Sequence, residues 1–563
     1  MRVALASLFL CATSVSLCLC GETSADLLAP QRNRVTEQTQ RRTKTMTSDH
    51  EIRICVPLNE KSFSALTAAA KSASHVADII EFRLDGLAPN ELSDTKVNDL
   101  VRATHKPVIL TYRPREQGGY RSLTIQDRMS FWQRNFKSDA AFFDIELDLV
   151  HNLVDLDPEN QPDWSRVICS FHNFNGSVAN LESIYEELAF TPARILKIAV
   201  TATDIVDCVE VFKLNERAQR EGRELIAIAM GDAGVATRVL GPSYGSFLTY
   251  AALKPATGTA PGQLTTDDLN SVYRIHEIVE ISSETMITGL VGRPVMHSVS
   301  PHMHNAAFQA VHINGVYLPF DVRNVEQFFK RMVHPRTREL NWNLRGLSVT
   351  APHKVEVMNY LDWIDPSAKA IGAVNTIVLE NEQLLGYNTD CEGLVEPLLK
   401  RVGSLDGARV AIIGAGGAAN AAVYALREQK AEVTLYARDE SKGRILADRF
   451  NILYEAMSNA NFAGKDVVIN TTPLGSFGDH INETPATSEQ LRGSRLVYDL
   501  VYNPTETLFL REARDAGCET LGGLEMLVAQ ARQQFKFWTQ SNVSSELMYN
   551  AAARVLGPTT SST

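Results

Sequence analysis

The sequence predicts an α/β protein built from a (β/α)8 barrel followed by a second α/β module, and three observations carry that expectation. Between residues 52 and 282 eight short apolar runs alternate with amphipathic stretches, the pattern of strand and helix in turn. Beyond residue 286 the alternation resumes, and "ARVAIIGAGGAANAAVYAL" (408–426) reads as strand, glycine-rich turn and helix. At 563 residues, 44% hydrophobic and 21% charged, the chain is several domains long with ordinary globular composition.

The amino end, residues 1–48, stands apart. "VALASLFLCATSVSLCLC" (3–20) is apolar after Arg2, and 21–48 is rich in Thr, Arg and Gln. Three readings compete: a secretory signal, a composite organelle-targeting leader, or sequence upstream of a start at Met46. Secretion is set behind the other two, and the cytoplasm is expected, or a plastid if the leader is a targeting sequence. No other stretch is long and apolar enough to span a membrane.

A formal charge of −11 without a Lys/Arg run in the body of the chain argues against nucleic acid or an anionic membrane as the principal partner. A small molecule is the default. The eight cysteines are scattered; apart from Cys18 and Cys20 none is close enough in sequence for a metal clip or redox motif, so reduced thiols and no metal are expected.

The barrel strands are expected at 53–58, 79–85, 108–113, 142–149, 166–172, 195–200, 224–231 and 247–253. Reactive groups of such barrels sit at the strands' carboxyl ends. Glu81, Arg83, Arg113, Glu146, His172 and Lys197 fall there, with Arg238 in the loop after the seventh strand. In "ARILKIAV" (193–200) Lys197 shares its face with Ile195 and Ala199, so an ammonium sits on an apolar surface. A desolvated lysine is driven towards the neutral amine, which attacks a ketone to give a Schiff base. The alternative is a structural ion pair with Glu81 or Glu146. His172 on the preceding strand, with Arg113, Glu116 and Arg238 converging, favours chemistry, and the arginines suggest a carboxylate on the substrate.

This segment resembles the type I 3-dehydroquinate dehydratases through "EFRLD", "TYRPREQGG", "SFHNF", "KIAV", "AMGDAGVATR" and "TAPGQ", in order over about 230 residues. The resemblance implies a TIM barrel in which Lys197 forms a Schiff base with the C3 ketone of 3-dehydroquinate. His172 would move the C2 proton and assist loss of the C1 hydroxyl, with Glu116 as its acidic partner. Glu81, Arg83, Arg113, Arg238, Thr259 and Gln263 match substrate-binding positions. Asn173 departs from the family, where many members carry Asp, but its side chain points away from the His172 face.

In the second module the turn Gly414, Ala415, Gly416, Gly417, Ala418, Ala419 has the G-x-G-x-x-A form, in which the backbone approaches a pyrophosphate at a helix amino end. The strand "EVTLYARD" follows at the spacing where the adenosine ribose is read. Arg438 there, with Lys442 one turn on, suits a ribose 2′-phosphate and hence NADP, against which Asp439 is a caution. Upstream, Lys354 and Asp390 are candidates for delivering a proton to a developing alkoxide; the plainer reading makes Lys354 a surface residue of a helix beginning after Pro352. Ser298, Ser300, Ser348, Thr350 and Asn375 read as a polyol-binding wall.

This half resembles the shikimate dehydrogenases through "HSVSPHMHN", "SVTAPHK", "GAVNT", "GYNTD", "GAGGAA", "NTTPLG", "YDLVYNPTET" and "GGLEMLVAQA". That implies a two-lobed module: a substrate-binding lobe over 286–392 after a barrel of 49–282, then a Rossmann NADP-binding lobe over 393–555 whose last helices return to the substrate lobe. It assigns Ser298, Ser300, Thr350, Asn375 and Gln530 to shikimate, with Tyr502 near the site. Lys354 and Asp390 become the catalytic pair, and Arg438 meets the cofactor phosphate, with Asn470 and Thr471 of "NTTPLG" also at the cofactor. Ser348 stands where many members have Asn. The two resemblances are consecutive steps, 3-dehydroquinate to 3-dehydroshikimate to shikimate, so a fused, plant-like bifunctional enzyme using NADP(H) is expected. A quinate-preferring second module and a non-catalytic binding relative are the rivals; the Ser300 and Thr350 pair speaks against the first, and the presence of Lys197, His172, Lys354 and Asp390 against the second.

Overall fold

The computed structural model describes residues 52–174, 180–278 and 284–557; the leader expected over 1–48 lies outside them. Val, Ile, Leu and Phe fill both faces of the first eight strands, as parallel strands covered by helices require. These are β1 (Ile54–Leu58), β2 (Ile79–Arg83), β3 (Val108–Thr111), β4 (Phe142–Glu146), β5 (Val167–Asn173), β6 (Ile195–Thr201), β7 (Glu224–Met230) and β8 (Thr249–Tyr250). They run parallel in the order β7-β6-β5-β4-β3-β2-β1-β8. A bridge from Leu225 to Ser246 joins the two ends, the Phe247 N–H donating to the Leu225 carbonyl at 2.7 Å. The result is a nearly closed barrel, sealed at its amino-terminal end by inward-facing Cys55, Ile79, Ile109, Ile168, Ile195 and Ile226.

Two strands fall furthest short of their apolar runs. "FFDIELDL" stops pairing at Glu146 because Leu147–Val154 is a helix burying Leu147, Leu149, Val150 and Leu153. "FLTYAAL" pairs only over Thr249–Tyr250. A short apolar run does not itself distinguish a strand from the buried face of a helix.

The second module opens with β9 (Met286–Gly292), β10 (Gly315–Asp321), β11 (Asn343–Val349), β12 (Trp363–Ile364), β13 (Thr376–Glu380) and β14 (Gln383–Tyr387), in the order β10-β9-β11-β13-β14-β12. A third sheet holds β15 (Arg409–Ile413), β16 (Glu432–Ala437), β17 (Leu453–Ala456), β18 (Val467–Asn470), β19 (Leu496–Asp499) and β20 (Glu519–Leu521), ordered β17-β16-β15-β18-β19-β20. Counted from β15 this is 3-2-1-4-5-6, the doubly wound arrangement whose switch point lies between the first and fourth strands. The helices Gly523–Thr539 and Ser545–Leu556 share a core with Met303, Phe308 and Tyr317 of the preceding lobe.

Asp204, after β6, joins barrel and second module. Its carboxylate accepts from Val206 N at 3.1 Å on its own side and from Arg323 N and Asn324 N at 3.0 and 2.7 Å across the boundary.

Candidate active sites

One polar layer sits above the apolar floor of the barrel. Glu81 (β2), Asp144 (β4), Lys197 (β6) and Tyr250 (β8) come from alternate strands, the way barrel interiors stack in fours. Lys197, 4% exposed, donates to Asp144 Oδ2 at 2.7 Å and to the Tyr250 hydroxyl at 2.8 Å. Its carboxylate partner is therefore Asp144, not Glu81 or Glu146, the two that the sequence offered. Glu81 accepts from the Thr111 hydroxyl at 2.5 Å. Asp144 Oδ1 also takes the Ser170 hydroxyl at 2.6 Å and lies 2.7 Å from Arg113 Nη2. Although burial opposes ionisation, Arg113 and Lys197 hold the Asp144 carboxyl well below the usual range.

His172 lies one strand over, and burial, reinforced by Arg113 and Lys197, pushes its imidazole well below the ordinary value. The ring is neutral and able to accept a proton. Arg238 is 1% exposed; it donates to the Pro261 carbonyl at 3.1 Å, and among the described residues no carboxylate pairs with it. Burial alone lowers it to about 10. A buried guanidinium without a counterion is a receptor for an anion.

Glu81, Arg83, Arg113, His172, Lys197, Arg238, Thr259 and Gln263 all line this one pocket. Glu116 does not. It is exposed on the short turn Arg115–Gln117, and among the described residues the buried His172 Nδ1 has no hydrogen-bond partner. Arg83 explains the placement: its Nη2 takes the Gly118 carbonyl at 3.1 Å, drawing in the main chain that follows the turn, while the side chains of Arg115 and Glu116 face solvent.

In the second module Lys354 Nζ donates to Asp390 Oδ2 at 2.6 Å. Asn375 donates to Asp390 Oδ1 at 2.8 Å and to the Thr389 hydroxyl at 3.0 Å. Asp390 begins the helix Asp390–Val402, where the positive end of the helix dipole favours its charge. Lys354 is not on a helix, as the plainer sequence reading had it. Residues 351–355 form turns, because the Lys354 carbonyl accepts from Val374 N at 2.8 Å and His353 Nε2 is held to the Val322 carbonyl at 2.8 Å.

Gln530 joins the Asp390 network, its Oε1 accepting from the Thr389 hydroxyl at 3.4 Å. Ser298 Oγ accepts from Ser300 N at 3.2 Å; burial raises the neighbouring Tyr502 hydroxyl while contact with Ser298 opposes the shift. Ser348 donates to Gln534 Oε1 at 2.7 Å, and Gln534 Nε2 donates to the Asn375 carbonyl at 3.2 Å. Thr350 follows β11 directly, its N–H donating to the Val291 carbonyl at 2.8 Å.

The glycine-rich turn lies at the switch point. Gly414 has φ +120, and a Cβ there would meet Thr471 Oγ1 at 2.5 Å, so both conformation and space require glycine. A Cβ at Gly416 or Gly417 would meet no protein atom within 4 Å. Gly416, Gly417 and Ala418 open the helix Gly417–Glu428, whose first N–H groups are free for an anion. Asp439 caps the helix Glu440–Phe450, accepting from Lys442 N at 3.0 Å, and its other oxygen lies 3.5 Å from Lys442 Nζ. It is thereby occupied, whereas Arg438 is exposed and has no carboxylate partner among the described residues. Asn470 is buried and fully engaged, donating to Asp499 at 2.9 Å and accepting from Thr472, so it shapes the turn instead of facing a ligand. Thr471 donates to the Ile413 carbonyl at 2.8 Å.

Residues 54–280 match the family model of type I 3-dehydroquinase, 290–377 that of the shikimate dehydrogenase substrate binding domain, 396–499 that of shikimate/quinate 5-dehydrogenase, and 523–553 the shikimate 5′-dehydrogenase C-terminal domain. Over 523 residues the chain is 33% identical to the chloroplastic bifunctional 3-dehydroquinate dehydratase/shikimate dehydrogenase of Arabidopsis thaliana, covering 89% of this chain and 84% of the relative. The chain belongs to this bifunctional family. It joins a lyase and an oxidoreductase of the shikimate pathway in one polypeptide. It is also 30% identical over 488 residues to the shikimate biosynthesis protein AroDE of Chlamydia pneumoniae, covering 86% of this chain and 95% of that one. Its second module is 39% identical over 283 residues to the NADP(+) shikimate dehydrogenase of Methanococcus aeolicus, 49% of this chain and all of that one. A solved structure, dehydroquinate dehydratase and shikimate dehydrogenase from S. pombe AroM, covers 91% of this chain and 99% of its own at 23% identity, with a TM-score of 0.41.

Three residues of this bifunctional dehydratase/dehydrogenase escaped the sequence reading: Asp144, Tyr250 and Gln534. Asp144 was within reach, because "FFDIE" alternates Phe142, Asp144 and Glu146 onto one face. Tyr250 and Gln534 gave no local signal; only barrel closure and helix docking bring them to their sites.

Proposed function

We propose that Lys197 is the imine-forming amine of the dehydratase and His172 its proton carrier. Lys197 attacks the C3 ketone of 3-dehydroquinate, the ketone oxygen leaves as water, and a C=N bond forms. Neutral His172 then takes the C2 proton and returns a proton to the departing C1 hydroxyl, which leaves as water; hydrolysis of the imine restores the amine. Arg238, buried and without a counterion among the described residues, receives the substrate carboxylate, and this is the observation that carries the reading. Glu81, Arg83, Arg113, Thr259 and Gln263 contact the ring hydroxyls.

In the second module Lys354, held by Asp390, gives a proton to the carbonyl oxygen of 3-dehydroshikimate as it becomes an alkoxide. Ser298, Ser300, Thr350, Asn375, Tyr502 and Gln530 orient the ring. NADPH supplies the hydride when bound. Gly414, Ala415, Gly416, Gly417 and Ala418 would hold its pyrophosphate and Arg438 its 2′-phosphate, with Lys442 beside it and Thr471 shaping the floor; the open space over Gly416 and Gly417 fits that group. The compartment is the cytoplasm or a plastid, and five free cysteines among the described residues suit reducing surroundings.

Given 3-dehydroquinate and NADPH, the purified chain yields shikimate, with NADPH oxidation lagging until the intermediate accumulates. Borohydride added during turnover leaves a covalent mass on the peptide containing Lys197. An unlabelled peptide with undiminished activity overturns the imine.

A further inference from the structure

Glu146 is fully buried, two residues beyond Asp144 on the same face of β4, and does not line the pocket. Its Oε2 accepts from Arg128 Nη1 at 3.0 Å, and its Oε1 lies 3.5 Å from Arg113 Nε. Among the described residues those last two atoms have no hydrogen-bond partner. Arg113 Nη2 lies 2.7 Å from Asp144 Oδ1, and the other Asp144 oxygen holds Lys197. Arg128, Glu146, Arg113, Asp144 and Lys197 thus form a buried ladder of alternating charge from the helix Ile125–Asn135 to the amine. Each interior member is shared by two opposite charges, so loosening one contact tightens the next.

We propose that Glu146 is a positioning residue for the dehydratase: by holding or releasing Arg113 it sets how firmly Asp144 retains the Lys197 proton. The inference rests on the reading of Lys197 as the attacking amine.

Glu146 is the adjustable rung. Its contact with Arg113 is open by a few tenths of an ångström, and such contacts tighten in liganded sites. Burial, opposed by Arg113, pushes its carboxyl up to about 7, so it changes charge in the neutral range while Asp144 stays ionised. The charged and titratable groups around it are Arg113 after β3, Asp144 on its own strand, Arg128 from the helix Ile125–Asn135 and Cys169 on β5. Burial raises Cys169, so it is neutral there. Arg128 has Asp148 in reserve at 3.0 and 2.5 Å and stays paired when Glu146 protonates. With Glu146 neutral, Arg113 closes on Asp144, competes with Lys197, and frees the amine at lower pH.

The test is the pH dependence of borohydride trapping of 3-dehydroquinate on Lys197, read by mass on the full chain and ratioed to the unaltered protein at each pH. Glu146→Gln fixes the neutral state, and the rising limb moves to lower pH by about half a unit or more. Arg128→Met removes one of the two cations that favour ionised Glu146 and moves the limb the same way; the double variant moves no further than Glu146→Gln alone. Far-UV circular dichroism and thermal unfolding of the same samples, compared with the unaltered protein, report that the barrel is folded, and reduction of 3-dehydroshikimate reports the second module. A limb that stays in place or moves to higher pH, or two shifts that add, overturns the inference. If Glu146→Gln does not fold, an unmoved limb in Arg128→Met does the same. Absence of any adduct in the unaltered protein instead defeats the imine itself.

Discussion

Lys354 and Asp390 form a 2.6 Å ion pair whose second carboxylate oxygen is fixed by Asn375 at 2.8 Å. The Asp390 carboxylate is therefore oriented from two sides before substrate arrives, and among the described residues its network shares no hydrogen bond with the Lys197 cluster of the barrel.

Lys354→Ala slows reduction of 3-dehydroshikimate by about 10² to 10⁴, the range for removing a positioned general acid, and leaves dehydration of 3-dehydroquinate nearly intact. Lys197→Ala does the converse. Separate assays with each substrate check this. Either substitution abolishing both activities in a folded chain shows that the two sites are not independent.

Arg438→Ala weakens NADPH by about 1.5 to 3 kcal/mol, the worth of a hydrogen bond to a charged group, and leaves NADH almost unchanged. The comparison is kcat/KM for the two cofactors. An equal loss for both makes Arg438 structural and removes the argument for the 2′-phosphate.

Gly416→Val separates fold from cofactor. The added Cβ meets no protein atom within 4 Å, so the melting temperature holds while the KM for NADPH rises at least about tenfold, through obstruction where the pyrophosphate meets the helix. Gly414→Val, by contrast, destabilises the module itself, because Thr471 Oγ1 lies 2.5 Å from the new Cβ and φ is +120. An unaltered KM in Gly416→Val would falsify the placement of the pyrophosphate.

His304 predicts an acid sensitivity. It is fully buried, stacked on Tyr317 at 4.3 Å, and among the described residues neither ring nitrogen has a hydrogen-bond partner. Burial lowers it to about 3, against about 6.5 in an unfolded chain. Below that unfolded value the unfolded state binds the proton and the folded state does not. Stability therefore falls with pH, by about 2 kcal/mol at about pH 5. His304→Phe removes this term, narrowing the gap in urea midpoint, followed by dehydrogenase activity, between about pH 7.5 and about pH 5. An undiminished gap assigns the acid loss to other groups.

The catalytic residues on which the proposal rests were legible because they break a pattern. Lys197 interrupts an apolar strand face, His172 sits at the carboxyl end of its own, and the glycines of 414–417 punctuate a strand-to-helix turn. Glu116 was misplaced for an instructive reason. Its neighbourhood in the sequence is right, since Gly118 lines the pocket and accepts from Arg83, thirty-five positions away, but the Glu116 side chain itself faces solvent.

By itself the sequence determined the order of modules, the eight barrel strands and the glycine-rich turn, because those are properties of local periodicity and residue type. Tertiary structure alone decided the partners: Asp144 and Tyr250 for Lys197, Asn375 for Asp390, Gln534 for Ser348. Hydrogen bonds and ion pairs act over about 3 Å, and only the closing of a barrel or the docking of a helix brings residues as far apart as Ser348 and Gln534, 186 positions, within that reach.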